Sequence, residues 1–347
     1  LREGVTDMSR RIQGLHHLSL GICVVIGIIV FGAMFYSCFA HRRSRHPKPA
    51  DFHESTLVEV IWTVIPVLIL VIMAVPATIA LMEIEDNSDA DMTVLITAAQ
   101  WNWHYQYIEA DIGYFSNMTT PSAQIENLEP KGENYLLEVD NPLVLPTNKK
   151  VRFLTTSDDV IHSWWIPDFA VKQDAIPGFI NEAWTRIEAP GLYMGQCAEL
   201  CGRDHAYMPV VVEVIPEAEF DTWIEDQRIA AELASGQAVA DREKTWTMAE
   251  LMEIGETVYL DHCSTCHEPD GMGQGITYPA LAGSDITTGP LEAHLDRVMN
   301  GAADTEMKAW APQLTDRELA AVITYERNTW GNDTGDVVQP RTTYERR

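Results

Sequence analysis

The sequence predicts a multi-domain chain: an N-terminal two-helix transmembrane hairpin, an all-β barrel or sandwich, and a C-terminal all-α domain. Three observations predict it. Residues 18–40 and 60–82 contain no charged side chain. Residues 92–216 hold short β-branched runs punctuated by Pro, Gly, Asn and Asp. From Thr247 onward, apolar residues recur at spacings of three and four.

Each uncharged run is long enough to cross a hydrocarbon core of ~30 Å with some tilt. Pro66 and Pro76 interrupt the second run, which membrane helices tolerate. The first run is too long for a signal peptide, and no small-residue cleavage site follows it. Arg42, Arg43, Arg45 and Lys48 mark the connecting loop as cytoplasmic, although Arg2, Arg10 and Arg11 flank the other end. Cys23 and Cys38 lie inside the first run and serve as small apolar residues.

In the second part, Met92-Thr-Val-Leu-Ile-Thr-Ala, Val151-Arg-Phe-Leu-Thr-Thr and Val210-Val-Val-Glu-Val-Ile read as strands. Asp140-Asn-Pro and Ile176-Pro-Gly are turn signals. The pattern predicts an antiparallel sandwich or barrel. Residues 217–246 are polar and Ala-rich, predicting a short helix over 217–233 and a flexible joint at Ser235-Gly236. In the third part, Leu251, Ile254, Val258 and Tyr259 form one helical face, and Leu319, Val322 and Ile323 another. Thr315-Asp-Arg-Glu opens the latter as a capping box. The tail after Gly331 is expected to be disordered. The predicted boundaries are 1–90 for the hairpin, 91–220 for the β domain, 221–246 for a linker helix, 247–335 for the helical domain and 336–347 for a tail.

The formal net charge is -27 over 347 residues. It lies almost wholly after residue 82, where 46 acids face 17 Lys or Arg. Such a surface repels nucleic acid and suits a cationic partner or plain solubility.

Two clusters carry chemistry. Cys197, Cys201, His205 and Met208 place two thiols, an imidazole and a thioether within twelve residues. That mixture suits copper cycling between two oxidation states. A disulfide or a zinc site is the competing reading, but the short Cys–Cys gap and the Met argue against each. Cys263-Ser-Thr-Cys266-His267 is the haem c attachment pattern. Haem c is attached outside the bacterial cytoplasm, so both termini and everything after residue 83 should face the periplasm or outer surface. Two redox sites behind two apolar spans make electron transfer the expected role.

Five segments occur in one order: Glu59-Val-Ile-Trp-Thr-Val-Ile-Pro, Gln100-Trp-Asn-Trp-His-Tyr-Gln-Tyr, Asp159-Val-Ile-His162-Ser-Trp, Val171-Lys-Gln-Asp-Ala-Ile-Pro-Gly and Gly195-Gln-Cys-Ala-Glu-Leu-Cys-Gly-Arg-Asp-His-Ala-Tyr-Met-Pro. Over roughly residues 15–225 the chain resembles subunit II of the haem–copper cytochrome c oxidases. The resemblance implies a cupredoxin-like barrel holding a dinuclear copper A centre. Cys197 and Cys201 would bridge the metals, His162 and His205 would each bind one, and Met208 and the Glu199 carbonyl would be weak ligands. The Glu199 side chain would reach a magnesium site shared with subunit I. Trp101 would receive electrons from an external cytochrome c, Asp159 would help dock that donor, and Glu59 would stand at a proton-channel mouth. His104 departs from the family pattern and is expected to be a surface histidine.

The C-terminal domain resembles class I cytochromes c. Gly255 and Tyr259 precede the attachment motif at the spacing where two helices cross closely over a glycine. Pro279-Ala-Leu-Ala-Gly resembles the loop whose proline carbonyl accepts the axial histidine's ring proton. Met307 matches the position of the second axial ligand, with Lys308 replacing the usual proline. Met299 is the next candidate, and Met272 lies too close to the attachment site. The fusion resembles bacterial caa-type oxidases. It implies an inner-membrane, multi-pass protein that takes electrons from cytochrome c or another periplasmic donor and passes them from haem c to copper A, then to haem a of subunit I. Subunit III and membrane lipid are the other implied partners, and proton pumping the implied coupling. The alternatives are an electron-transfer subunit of a nitric oxide reductase type of enzyme, or a membrane-anchored carrier.

Overall fold

The computed structural model describes residues 4–48, 51, 53–302 and 305–347. Arg2, counted among the flanking bases, lies outside them. The chain divides into two compact units, Leu1–Thr222 and Trp223–Arg347.

The first unit opens with helices α1 (Asp7–Ala40) and α2 (Thr56–Ile84). Thr6 caps α1, accepting from Ser9 N while Ser9 Oγ accepts from Thr6 N. At 1.5 Å per residue the two helices reach about 50 and 44 Å. Both begin before the uncharged runs, so the polar first turns of α1 extend past the hydrocarbon. The most apolar stretch of α1 has no buried residue and that of α2 only 6%. Apolar surface of this kind requires lipid or protein around it. Arg11 pairs with Glu83 at 2.5 Å, closing the hairpin at its open end.

The β domain comprises β1 (Met92–Ala99), β2 (Asn102–Tyr107), β3 (Ile112–Ser116), a short helix α3 (Ser122–Ile125), β4 (Leu143–Pro146), β5 (Val151–Ser157), β6 (His162–Ile166), β7 (Val171–Ala175), β8 (Asn181–Thr185), β9 (Gly191–Cys197) and β10 (Pro209–Ile215). They form two five-stranded sheets, ordered β3-β2-β1-β5-β8 and β4-β10-β9-β6-β7. The expectation of a purely antiparallel arrangement is corrected: β1 pairs with β5, and β10 with β4, in parallel. These partners are far apart in sequence and reach one another through crossovers rather than tight turns. Alternation is clear in β5, whose residues are buried at every second position. Trp103, Phe153 and Trp164 are fully buried between the sheets.

Helix α4 (Glu217–Glu243) runs unbroken through Ser235-Gly236, where a joint was expected. One glycine costs about 1 kcal/mol in a helix, and its alanine-rich neighbours offset it. Packing also holds the end of α4: the buried Trp246 donates from Nε1 to Asp241 O at 2.9 Å.

The second unit continues with α5 (Met248–His262), α6 (Ser264–His267), α7 (Asp285–Thr288), α8 (Leu291–Asn300), α9 (Asp316–Arg327) and α10 (Pro340–Tyr344). Capping boxes open α5 at Thr247/Glu250 and α9 at Thr315/Glu318. α5 crosses α9 at Gly255, where an added Cβ would lie 2.2 Å from Ala321 O. The close crossing over a glycine is therefore present. The tail is ordered, contrary to expectation. Val338 and Thr343 are buried, Thr343 Oγ1 donates to Asp316 O at 2.8 Å, and Arg347 Nε donates to Asp316 Oδ1 at 2.6 Å. The buried Asp316 carboxylate draws Arg242 and Arg347 together, which composition alone does not reveal.

Candidate functional site

Strand pairing builds the first site. β6 lies against β9 with Trp164 opposite Cys197, so His162 at the start of β6 lies beside the end of β9. The loop after Cys197 is pinned at both ends: Ala198 N donates to Ser163 O, and Cys197 N to Met208 O, each at 2.9 Å. This folds Cys201, His205 and Met208 back over Cys197. The two Sγ atoms are 3.8 Å apart, far beyond the ~2.05 Å of a disulfide. His162 Nδ1 lies 3.9 Å from Cys197 Sγ, and His205 Nδ1 lies 3.4 Å from Cys201 Sγ. The Glu199 carbonyl is 3.3 Å from Cys197 Sγ, while its side chain is exposed. Met208 is 1% exposed. Ligand atoms of His162, Cys197 and Cys201 lie within 4.8 Å of one another. This donor set of thiols, imidazoles, thioether and carbonyl fits copper. With protons alone on the sulfurs, Cys197 and Cys201 share a hydrogen bond. That bond lowers the Cys197 thiol and raises that of Cys201.

A ring of hydrogen bonds surrounds these donors. His162 Nε2 bonds Asp159 Oδ1 at 2.9 Å, which turns Nδ1 towards the sulfurs. Burial pushes the Asp159 carboxyl up, but His162 and the backbone N–H groups of Gln100 and Val160 outweigh it and leave it lowered. Burial likewise pushes His162 down, and Asp159 more than restores it. Asp159, expected to dock a donor, is 22% exposed, with one oxygen on His162 and the other on Gln100 N at 2.7 Å. Gln100 Nε2 and Trp101 Nε1 donate to Cys201 O at 2.8 and 3.2 Å. Trp101 is half-buried. Gly202 has φ +117, and an added Cβ would sit 2.7 Å from Gln100 Nε2. The sequence reading missed both Gln100 and Gly202 as parts of the site. The Gly after Cys201 was the available signal for a close approach. His104 is half-buried on Phe115, with ring centroids 4.6 Å apart, rather than a free surface residue. Burial lowers its pKa, and Asp158 opposes this. Glu59 stands exposed in the first turn of α2.

The second site lies in the other unit. Cys263 caps α5, and Cys266 and His267 follow in α6. His267 Nδ1 lies 2.9 Å from Pro279 O, so its proton resides there and the Nε2 lone pair is free for iron. Burial raises the Cys263 thiol. The three candidate methionines differ in placement. Met299 is 1% exposed inside the core, Met272 is 59% exposed, and Met307 is half-buried against the edge of that core. Lys308 Nζ reaches Gln313 Oε1 at 3.2 Å and lies over the Trp310 ring. A paired-thiol turn with a tautomer-fixed histidine fits covalent haem.

Residues 92–215 match the family described as cytochrome c oxidase subunit II, periplasmic domain, and residues 1–79 match its transmembrane domain. Residues 250–325 match the cytochrome c oxidase, cbb3-type, subunit III family. The chain is 43% identical over 221 residues to a probable cytochrome c oxidase subunit 2 of Rickettsia felis, covering 63% of this chain and 68% of the relative. It is 35% identical over 236 residues to cytochrome c oxidase subunit 2 of Cereibacter sphaeroides, covering 64% and 78%. A solved structure of the periplasmic domain of subunit II of cytochrome oxidase of Bradyrhizobium japonicum is 39% identical, covering 41% of this chain and 96% of that one, with a TM-score of 0.37. The chain belongs to the cytochrome c oxidase subunit II family and carries a cytochrome c domain behind its copper-binding domain.

Proposed function

We propose that this subunit is the electron-accepting arm of a bacterial inner-membrane oxidase, with both soluble parts on the periplasmic side. The observation that carries the reading is the convergence of Cys197, Cys201, His162 and His205 donor atoms in the chain that also holds Cys263-Ser-Thr-Cys266-His267. When bound, dinuclear copper A and haem c each supply a one-electron store that needs little rearrangement. The chain's residues do the rest. Asp159 fixes the tautomer of His162, and Pro279 that of His267. Cys197 and Cys201 as thiolates, with His162 and His205, would hold the copper, and the buried Met208 thioether would be a weak donor that tunes its potential. Trp101, hydrogen-bonded to the Cys201 carbonyl, offers donors a short route to a ligand backbone.

The outward Glu199 side chain is assigned to a magnesium shared with subunit I, and Glu59 to the mouth of a proton path there. The apolar faces of α1 and α2 are assigned to lipid and to subunits I and III. The acidic surface suits a cationic cytochrome c. Affinity purification of the full chain from its membrane tests this. The reading expects a co-purifying multi-span partner bearing haem a and copper, and cytochrome c oxidation that is lost in Cys197→Ser. A partner lacking haem a would overturn the oxidase assignment.

A further inference from the structure

Two loops carry the residues assigned to the haem iron, and each is braced within itself. In the first, Gly273 N donates to His267 O at 2.9 Å and Gln274 N to Tyr278 O at 2.7 Å, beside the 2.9 Å contact from His267 Nδ1 to Pro279 O. In the second, Ala302 N donates to Met307 O at 2.8 Å, and Met307 N to Thr305 Oγ1 at 3.2 Å. Trp310 N then ties this loop to Val298 O of α8 at 3.1 Å. Between the loops, the Tyr278 hydroxyl donates to the Glu306 carboxylate. Both side chains are half-buried. Tyr278 directly precedes Pro279, the support of His267, and Glu306 directly precedes Met307.

We propose that Tyr278 and Glu306 are positioning residues: a latch joining the His267 loop to the Met307 loop and holding the Met307 thioether on the iron. The inference rests on the reading of Met307 as the sixth ligand. The physical need is visible in the sequence. Residue 308, directly after Met307, is a lysine, whose φ is not fixed as a proline's would be, so the Met307 loop has no such restraint there. A phenol-to-carboxylate hydrogen bond is charge-assisted and stronger than a neutral one. Its partial exposure leaves it worth about a factor of ten in the closed-to-open ratio of the loop. An added ligand competes for iron only in the open form, so its apparent affinity reports that ratio directly.

The test uses the full chain with covalent haem, oxidised, titrated with imidazole while the Met-to-iron charge-transfer band is followed. Tyr278→Phe and Glu306→Ala should each bind imidazole about tenfold more tightly, with the band intact before titration. The double variant should gain nothing beyond either single change, and Glu306→Gln, which keeps an acceptor oxygen but not the charge, should fall between the parent and Glu306→Ala. Parent-like imidazole affinity in Tyr278→Phe and Glu306→Ala would overturn the latch, as would fully additive effects in the double variant. Met307→Leu separates the two layers. Loss of the band in that variant upholds the ligand, so that a failed Tyr278→Phe result then counts against the latch alone. Persistence of the band moves the sixth ligand elsewhere and removes both.

Discussion

Gly255→Ala sets two well-known effects against each other. Alanine is the better helix former by about 1 kcal/mol. At position 255, however, the new methyl would lie 2.2 Å from Ala321 O and 2.6 Å from Tyr325 Cβ, where ordinary contact starts near 3.4 Å. The backbone of α9 cannot swing aside as a side chain can, so α5 and α9 must part by about 1 Å. Overpacking of that kind costs ~1–3 kcal/mol, which offsets the gain in propensity and leaves a net loss of up to about 2 kcal/mol. Cys263 caps the same helix, so the displacement reaches the haem tether. Gly236→Ala is the control: it lies in α4 with nothing within 4 Å of an added Cβ, so propensity alone predicts a gain of up to about 1 kcal/mol. The assay is thermal unfolding of the haem-loaded chain, followed by haem absorbance and the helical signal. The Gly255 variant should lose roughly 5 °C, and the Gly236 variant should gain or hold. Stabilisation by both substitutions would refute the close crossing.

Three further outcomes follow from the same geometry. Gly202→Ala places an L-residue at φ +117 against Gln100 and Trp101, which costs on the order of 1–3 kcal/mol; cytochrome c oxidation by the assembled oxidase should slow, and an unchanged rate would deny Trp101 its role. Asp159→Asn removes the charge that holds His162, and competition with a copper chelator should show about 10–100-fold weaker retention; parent-like retention would reduce Asp159 to a surface acid. Lys244, together with the N–H and hydroxyl of Thr247, holds the exposed Glu250 carboxyl down at about 2. Its capping contribution is therefore complete above the ordinary value of 4.5 and is lost as pH falls from there towards 2. Glu250→Gln should flatten the stability profile across that window, and superimposable acid profiles would contradict the cap.

What could be read in the sequence was local. The uncharged runs, the Thr315 capping box and the spacing of the Cys197–Met208 donors each depend on residues close in the chain, whereas the Gly255 crossing, which joins α5 to α9, was legible only through the resemblance to class I cytochromes c. What could not be read depends on distant partners. The parallel pairing of β1 with β5 needs a crossover that no turn signal announces. The end of α4 is held by Trp246 and Asp241, so the Ser235-Gly236 pair could not be weighed by propensity alone. The order of the C-terminal tail depends on the buried Asp316, an acid indistinguishable in sequence from dozens of solvated ones. Asp159 matched a family position for docking; its hydrogen bonds to His162 three residues on and to Gln100 in the turn between β1 and β2 could not be read from the sequence.

The central claim is that one polypeptide holds two separate redox groups, one on each unit. Copper and pyridine-haemochrome analysis of the purified full chain, parent beside Cys197→Ser, tests it most directly. The parent should contain a copper pair and a single thioether-linked haem, and the variant should lose the near-infrared copper absorption while keeping the haem. Undiminished copper in Cys197→Ser, or a parent with no covalent haem, would contradict the account.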